Sequence, residues 1–324
     1  MRHTEGTKHS LKGDPQMYDV DTFLTILYVT VDDFIKCQPA PVPQPGPAAA
    51  LTQSEVISLA LFSQWRQFES ERAFYRYAVR HLHPAFPTLP ARSQFNRLLR
   101  RHHDAIVAFA LALGQQVSQP SAGYEVLDSM GVPGPSAKRR GRGHLAGQAA
   151  LGWCNRVGWF MGLKLLTVVS RVGAITGYGL GPGNSGDHLL AETLLAARQL
   201  PSPCLPSAGY SLDSCYIADK GFAGQHVRHR WVLSYGALVI TQPEQRRPHR
   251  WPKGLRRWLA ALREIVETVH DRLLEVFRLE HERPHVLCGV QARLAAKVGL
   301  HNFCLWLNRQ VGRPPLAVAD LVDW

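Results

Sequence analysis

The sequence predicts an α/β protein in which helices flank a mixed β-sheet and an all-α region precedes that sheet. Up to about residue 118, apolar side chains recur at three- and four-residue steps, as on amphipathic helices. Beyond residue 123, short apolar runs bounded by Gly and Pro alternate with helical patterns. The chain has 324 residues, enough for one large domain or two modest ones with a packed core.

The first part of the chain begins with residues 1–16, which are polar and are expected to form a flexible leader, with Met17 as an alternative start. A helix is predicted from Asp19 to Lys36 because its apolar residues fall on one face. Five prolines in residues 39–47 then indicate a stiff linker.

Thr52 and Glu55 form a capping-box pattern that predicts the next helix start, and the helical pattern continues at 69–81 and 93–116. Several basic residues lie near the last of these helices. Residues 17–118 are therefore expected to form a helical region for DNA binding or dimerisation, with a packing bundle that has a basic solvated face as the alternative.

From residue 119 to 324, the predicted order is strand, strand, strand, helix, strand, helix, strand, helix, helix. The predicted elements lie at about 124–130, 157–169, 172–179, 187–199, 215–218, 224–234, 236–240, 255–280 and 286–309. This order is that of an RNase H-like domain, in which the first strand is central and the fourth lies beside it.

Three carboxylates occupy related positions in this layout. Asp128 ends the first predicted strand, Asp219 follows the fourth, and Glu267 borders the apolar face of the late helix. In open α/β sheets, ligands gather at the carboxyl ends of the strands. Oxygen ligands suit hard divalent cations, so these three residues predict a two-metal phosphodiester-cleaving site holding two Mg²⁺ ions, with Mn²⁺ as a substitute. The alternative for each Asp is an ordinary turn cap.

The composition favours a polyanionic partner. Lys plus Arg number 37 against 25 Asp plus Glu, a formal net charge of +12, which is typical of proteins that bind nucleic acid. The six cysteines lack Cys-x-x-Cys spacing, so we expect buried apolar residues of a reduced protein. We expect a cytoplasmic protein, since no apolar run reaches the roughly 18 residues of a membrane span and no signal-peptide core is present.

Several short motifs carry a family resemblance. They are Asp128-Ser129-Met130 with Val132-Pro133, the segment 183–187 (Gly-Asn-Ser-Gly-Asp), Asp219-Lys220-Gly221-Phe222, and Arg263-x-x-x-Glu267. In this order, over about residues 124–309, they resemble bacterial insertion-sequence transposases of the DDE class. The resemblance implies that Asp128, Asp219 and Glu267 are catalytic and metal-binding. It further implies metal-dependent cleavage and transfer of DNA strands, with terminal inverted repeats and target DNA as partners, a homodimer on DNA, and a nucleoid-associated bacterial protein.

The motif also departs from related families. Those families often carry Tyr three residues before the Arg and Lys seven residues after the Glu, where this chain has Ala260 and Leu274. Arg272 is a candidate replacement for that Lys as a DNA contact.

Basic residues cluster near the predicted site. Residues 246–263 contain seven cations, no acid and two interleaved tryptophans, and residues 138–142 form a second basic patch. Cations neutralise phosphates and aromatic rings stack on unpaired bases, so both stretches are predicted to bind DNA, with solvated basic loops as the alternative. The predicted DNA-binding residues are Lys138, Arg139, Arg140, Arg142, Lys220, Arg246, Arg247, Arg250, Lys253, Arg256, Arg257, Arg263 and Arg272. Asp187, which opens a predicted helix, is expected to cap it.

The leading hypothesis is therefore an insertion-sequence DNA transposase. Two alternatives stay open: a catalytically inactive, transposase-derived DNA-binding protein, and a structure-selective RNase H-like nuclease.

Overall fold

The computed structural model describes residues 17–39, 49–118, 123–134, 145, 147–199, 214–242, 251–283 and 285–324. The leader at 1–16 and most of the proline-rich linker lie outside these ranges.

A bundle of helices precedes the sheet. It begins with a two-residue strand, β1 (Tyr18–Asp19). Its helices are α1 (Val20–Lys36), α2 (Gln53–Phe62), α3 (Glu71–His81), α4 (Arg92–Arg101) and α5 (His103–Ser118). The capping box at Thr52 and Glu55 is confirmed at the start of α2. The single helix expected at 93–116 is wrong, because His102 leaves helical geometry (φ −94°, ψ 14°) and separates α4 from α5. The apolar spacing continues across this break and therefore hid it.

The second part of the chain forms the sheet and its covering helices. Its elements are β2 (Glu125–Pro133), β3 (Ala150–Cys154), β4 (Gly158–Ser170), β5 (Ile175–Pro182), α6 (Asp187–Gln199), β6 (Ser214–Ala218), α7 (Gln225–Tyr235), β7 (Ala237–Thr241), α8 (Lys253–Asp271), α9 (Leu287–Gln310) and β8 (Val322–Asp323). Strand β3 was not predicted, since it has five residues with Gly152 at its centre and little alternation. The other strands and helices lie close to their predicted positions, apart from the end of α8.

The sheet has the order β3-β4-β2-β6-β7. Strand β3 pairs with residues 158–162 of β4, and β5 pairs with residues 163–169 of β4. Strand β2 is antiparallel to β4 and parallel to β6, and β6 is parallel to β7. The first strand of the predicted meander is therefore central, with the strand that carries Ala218 beside it. This arrangement confirms the RNase H-like fold class.

Alternation along β2 separates two apolar layers. Val126 belongs to a large cluster with α8, α9 and the N-terminal helices, whereas Leu127 belongs to a smaller cluster with α6 and α7. Asp128 shares the face of Val126, and Ser129 shares the face of Leu127. The face that carries Asp128 is therefore the one covered by α8.

The late helix expected to run to about residue 280 is shorter than predicted. Helix α8 ends at Asp271 and passes into a π-helical turn, Arg272–Val276, after which Arg278 has a positive φ of 52°. Carbonyls of this segment bind groups that are distant in sequence: Arg66 N–H donates to the Val276 carbonyl (2.9 Å) and Lys297 Nζ to that of Phe277 (2.6 Å). Because these partners come from α9 and from the turn that follows α2, local periodicity could not indicate the change.

Candidate functional site

Asp128 and Asp219 lie side by side at one point of the sheet. The parallel pairing of β2 with β6 runs from Glu125 opposite Tyr216 to Leu127 opposite Ala218, so Asp128 and Asp219 are the residues that directly follow the last pair. The expectation that Asp128 ends its strand is wrong. Strand β2 continues to Pro133 because β4 goes on pairing with it, up to Gly162 opposite Pro133.

A guanidinium from α8 connects these two carboxylates. Arg263 approaches Asp128 with one terminal nitrogen (3.3 Å) and Asp219 with the other (3.4 Å). The side chains of Arg263 and Asp128 are each 16% exposed, whereas that of Asp219 is 46% exposed. Two acids thus share one cation at the rim of the sheet, with Asp128 on the inner side.

Burial makes the ionised form of Asp128 costly. It raises the pKa of Asp128 to about 6, against the opposing effect of Arg263 and of the Ser129 N–H. The carboxylates of Asp219 and Glu267 raise the pKa of Asp128 further, because like charges nearby disfavour ionisation. Asp219 and Glu267 are therefore both close enough to Asp128 to act on it electrostatically.

Glu267 lies one helical turn after Arg263 on α8 and is exposed. Across the described ranges, no group of three or more His, Cys, Asp or Glu side chains has the geometry of a metal site. Asp128 and Asp219 are close enough to share a cation, and Glu267 borders them from the helix. Their hard oxygen donors fit a divalent cation. The Arg263 guanidinium supplies positive charge to the same Asp128 and Asp219 carboxylates.

His270 and Thr167 fix α8 on the sheet, and sequence reasoning missed both. The imidazole Nε2 of His270 and the hydroxyl of Thr167 lie 2.8 Å apart in the buried layer, and Thr167 is the β4 residue opposite Asp128. Burial lowers the pKa of His270 to about 4, with a smaller contribution from Arg263, so this ring is neutral at pH 7. The available signal was spacing: His270 follows Glu267 by three residues and Arg263 by seven, on adjoining helix faces.

Asp187 contacts the opposite face of the same strands. Its carboxylate accepts a hydrogen bond from the Ser129 hydroxyl (2.6 Å) and pairs with Lys164 (2.7 Å). A Cβ on Gly221 would lie 3.0 Å from an Asp187 oxygen, so the turn after Asp219 also packs on this carboxylate. The predicted capping residue therefore braces the strand of Asp128 and the turn of Asp219.

The predicted DNA-binding residues fall into two groups. Outside the described residues lie Lys138, Arg139, Arg140, Arg142, Arg246, Arg247 and Arg250. Of the rest, Lys220, Lys253 and Arg257 are exposed, and Arg256 is half-buried, with its Nε donating to the Trp251 carbonyl (3.2 Å). Arg272 is half-buried, and its charge helps to lower the pKa of His301 on α9.

The fold and these side chains define a class of protein with an RNase H-like sheet. In it, acidic side chains lie where the pairing of the two neighbouring strands β2 and β6 ends. Residues 121–287, slightly more than half of the chain, match the family described as Transposase DDE domain, and the chain belongs to this family. Neither the curated proteins nor the solved structures include a match to this chain. No helix in the described ranges is long and apolar enough to cross a membrane.

Proposed function

We propose that this transposase belongs to a bacterial insertion sequence, binds the terminal inverted repeats and target DNA, and carries out metal-dependent strand cleavage and strand transfer. The observation that carries the proposal is the bridge from Arg263 to both Asp128 and Asp219. Asp219 follows the carboxyl end of β6 and Asp128 lies beside it on the neighbouring parallel strand β2, so two acids share one cation at this edge, an arrangement that suits phosphodiester chemistry.

Asp128, Asp219 and Glu267 are the proposed catalytic acids and would hold two Mg²⁺ ions, with Mn²⁺ as a substitute. When bound, such ions activate the attacking oxygen and stabilise the leaving oxygen of a phosphodiester. Asp128 supplies the inner ligand, and Asp219 supplies a more accessible one. Glu267 stands on α8 at the solvent side, where incoming DNA completes the site.

Arg263 has two proposed partners in turn. It neutralises Asp128 and Asp219 while DNA is absent, and it contacts a phosphate once divalent cations take over that charge. A guanidinium suits both tasks, since its planar donors match carboxylate and phosphate oxygens alike. DNA binding and metal binding then favour each other.

The DNA surface is proposed to combine the exposed cations Lys220, Lys253 and Arg257 with the basic residues of the sequence segments 138–142 and 246–250. Contacts to phosphates would supply most of the affinity and make binding strongly dependent on salt. Two element ends require two sites, so we propose a homodimer on DNA. Residues 17–118 are proposed as the DNA-binding or dimerisation region, residues 119–324 as the catalytic domain, and the bacterial nucleoid as the place of action.

Replacing Asp128 by Asn tests the catalytic assignment. The isosteric change keeps volume and removes the ligand charge, so Mg²⁺-dependent nicking of a supercoiled plasmid that carries the gene and its flanks should fall at least 1,000-fold, roughly as when a group essential to the transition state is lost. Binding of the flanking DNA in a gel-shift assay should stay within about twofold of wild type.

The matched control is Asp104→Asn, since the Asp104 side chain on α5 is fully exposed. This variant should nick like wild type. Nicking by Asp128→Asn would overturn the assignment. Binding without cleavage by the wild type would instead favour an inactive DNA-binding protein. Cleavage of branched DNA without joining of ends would favour a structure-selective nuclease.

A further inference from the structure

Two large aromatic side chains stand exposed on the outer part of the sheet. Trp153 on β3 and Trp159 on β4 are 57% and 70% exposed, and they are direct cross-strand partners. Opposite residues of an antiparallel pair project from the same face, so the two indoles form one apolar surface. Exposed Leu151 and Val157 extend it. Leaving this much aromatic area in water is unfavourable, which indicates a binding surface.

The composition of this part of the chain favours an anionic partner. Between Asp128 and Asp187 the chain has no Asp or Glu at all, yet this stretch supplies β3, β4 and β5. The stretch contains seven Lys and Arg. Of these, Arg156 lies in the turn between β3 and β4, beside the pair, whereas Lys164 pairs with Asp187 on the opposite face. A second copy of the chain would bring the same positive charge to this surface, whereas a nucleic acid brings the opposite charge.

The pair also lies on the face of the sheet that carries the candidate site. Trp159 precedes Thr167 by eight residues on β4, and Thr167 lies opposite Asp128, so strand alternation puts all three on one face of the sheet. Eight residues of strand span at most roughly 26 Å. At about 3.4 Å per base along a stacked strand, this upper limit corresponds to at most about eight nucleotides.

The turn between the two strands approaches α8 from the same side. Arg156 in this turn is ion-paired with Glu280, which follows the π-helical turn. Asp271, the last residue of α8 and one turn beyond Glu267, also acts on the Arg156 charge. The Trp153–Trp159 pair is thus continuous with the surface that carries Glu267.

We propose that Trp153 and Trp159 form a stacking platform for unpaired bases of the DNA that is handled at the Asp128 site. Indole rings stack on any base without regard to sequence, so the pair can hold a strand whose sequence is not read. The platform would retain a separated strand within about eight nucleotides of the reacting bond. This inference rests on the proposed function for the identity of its ligand, but the binding it describes requires no cleavage.

The test compares unpaired with paired DNA. Fluorescence anisotropy would measure binding of the full chain to a fluorescein-labelled 20-nucleotide oligo-dT and to a labelled 20-base-pair duplex. Because a base that stacks on an aromatic ring commonly accounts for about tenfold in affinity, Trp153→Ala/Trp159→Ala should bind oligo-dT at least tenfold more weakly. Its duplex affinity should change less than twofold.

Two further variants make the result specific. Trp153→Phe/Trp159→Phe keeps rings that stack and should recover most of the oligo-dT affinity. Leu233→Ala removes a 72% exposed apolar side chain on α7 and should leave both affinities unchanged. Equal losses on both DNAs, or no loss, would overturn the platform. A fall in molar mass of the alanine variant by light scattering, with unchanged DNA binding, would overturn it in favour of a protein interface.

The same proteins separate this inference from the proposed function. A wild type that never nicks DNA but loses oligo-dT binding on the double substitution would support the platform and contradict the catalytic proposal. A wild type that nicks, with undiminished oligo-dT binding in the double variant, would contradict the platform alone.

Discussion

At the level of single residues, the main feature of the site is negative charge on neighbouring carboxylates, which a side chain of the protein itself neutralises. Asp128 is buried enough to have a pKa of about 6, and Asp219 and Glu267 add negative charge beside it. Arg263 offsets this cost by contacting both aspartates. The guanidinium thus competes with any divalent cation for the same oxygens.

Replacing Arg263 by Ala should separate these effects. Without the internal cation, the paired acids repel each other, so the thermal midpoint in EDTA should fall by several degrees. In this variant Mg²⁺ no longer competes with the guanidinium. The affinity of the variant for Mg²⁺, measured by calorimetry without DNA, should therefore rise several-fold. Added Mg²⁺ should restore the midpoint.

Arg230→Ala is the matched control, because Arg230 on α7 pairs with a single acid, Glu192, outside the site. Its Mg²⁺ affinity should equal that of wild type. Weaker Mg²⁺ binding by Arg263→Ala would show that Arg263 organises the acids and does not compete for them.

The sequence singles out candidate site residues but not their partners. Asp128, Asp219, Arg263 and Glu267 stand out in the sequence by predicted position and motif order. Their supporting contacts do not: Thr167 lies 39 residues from Asp128 in sequence, and His270 bonds to Thr167 across 103 residues. Such contacts depend on strand register and helix docking, which local patterns leave undetermined.

At the scale of elements, α8 decides whether the site forms. Its buried residues Val266 and Val269 pack on the sheet, but apolar contacts alone permit sliding along the helix axis. The bond between His270 and Thr167 is directional and buried, so it fixes one register. That register puts Arg263 against Asp128.

A double-mutant cycle should measure this bond. Thr167→Val or His270→Leu alone leaves one buried polar group without its partner and should cost about 1–3 kcal/mol in urea unfolding. The double variant removes both groups and should cost less than the sum of the two single changes. Each single variant should also reduce nicking more than DNA binding, because α8 loses its register.

Additive costs would mean that the two side chains do not stabilise the fold through their mutual bond. Thr268→Ala serves as a control on the same helix, since the Thr268 hydroxyl donates to the Glu264 carbonyl of its own turn. That variant should keep both nicking and the His270 coupling.

At the scale of the whole molecule, one apolar core crosses the boundary that the sequence pattern suggests. Helix α9 is buried along most of its length and packs on α5, α2 and the sheet. Asn302 on α9 bonds to Ile175 of β5 and to the Ala110 carbonyl of α5. Buried Lys297 joins Gln64, Phe277 and Glu282. Strand β1 pairs with β8 near the other end of the chain.

The sequence identified the elements on both sides of residue 119 but not this shared core. Amphipathic periodicity shows that a helix has an apolar face, and it does not show which element covers that face. The break at Gln119–Gly123 marks a change from helices to strands. Cooperativity between the two regions has to be argued from contacts such as those of Asn302.

Replacing Phe62 by Ala should test this cooperativity. Phe62 is fully buried on α2 and contacts Phe23, Phe68, Phe74 and Trp324, so the cavity should cost about 3–5 kcal/mol of unfolding free energy. With one core, hydrogen exchange should accelerate equally for the slowest amides of α2 and for those of β2 and β6. Val79→Ala, at a 53% exposed site on α3, should leave all of them unchanged. Faster exchange in the N-terminal helices alone, with β2 still fully protected, would show that the two regions unfold independently, and residues 119–324 would then be a self-sufficient catalytic unit.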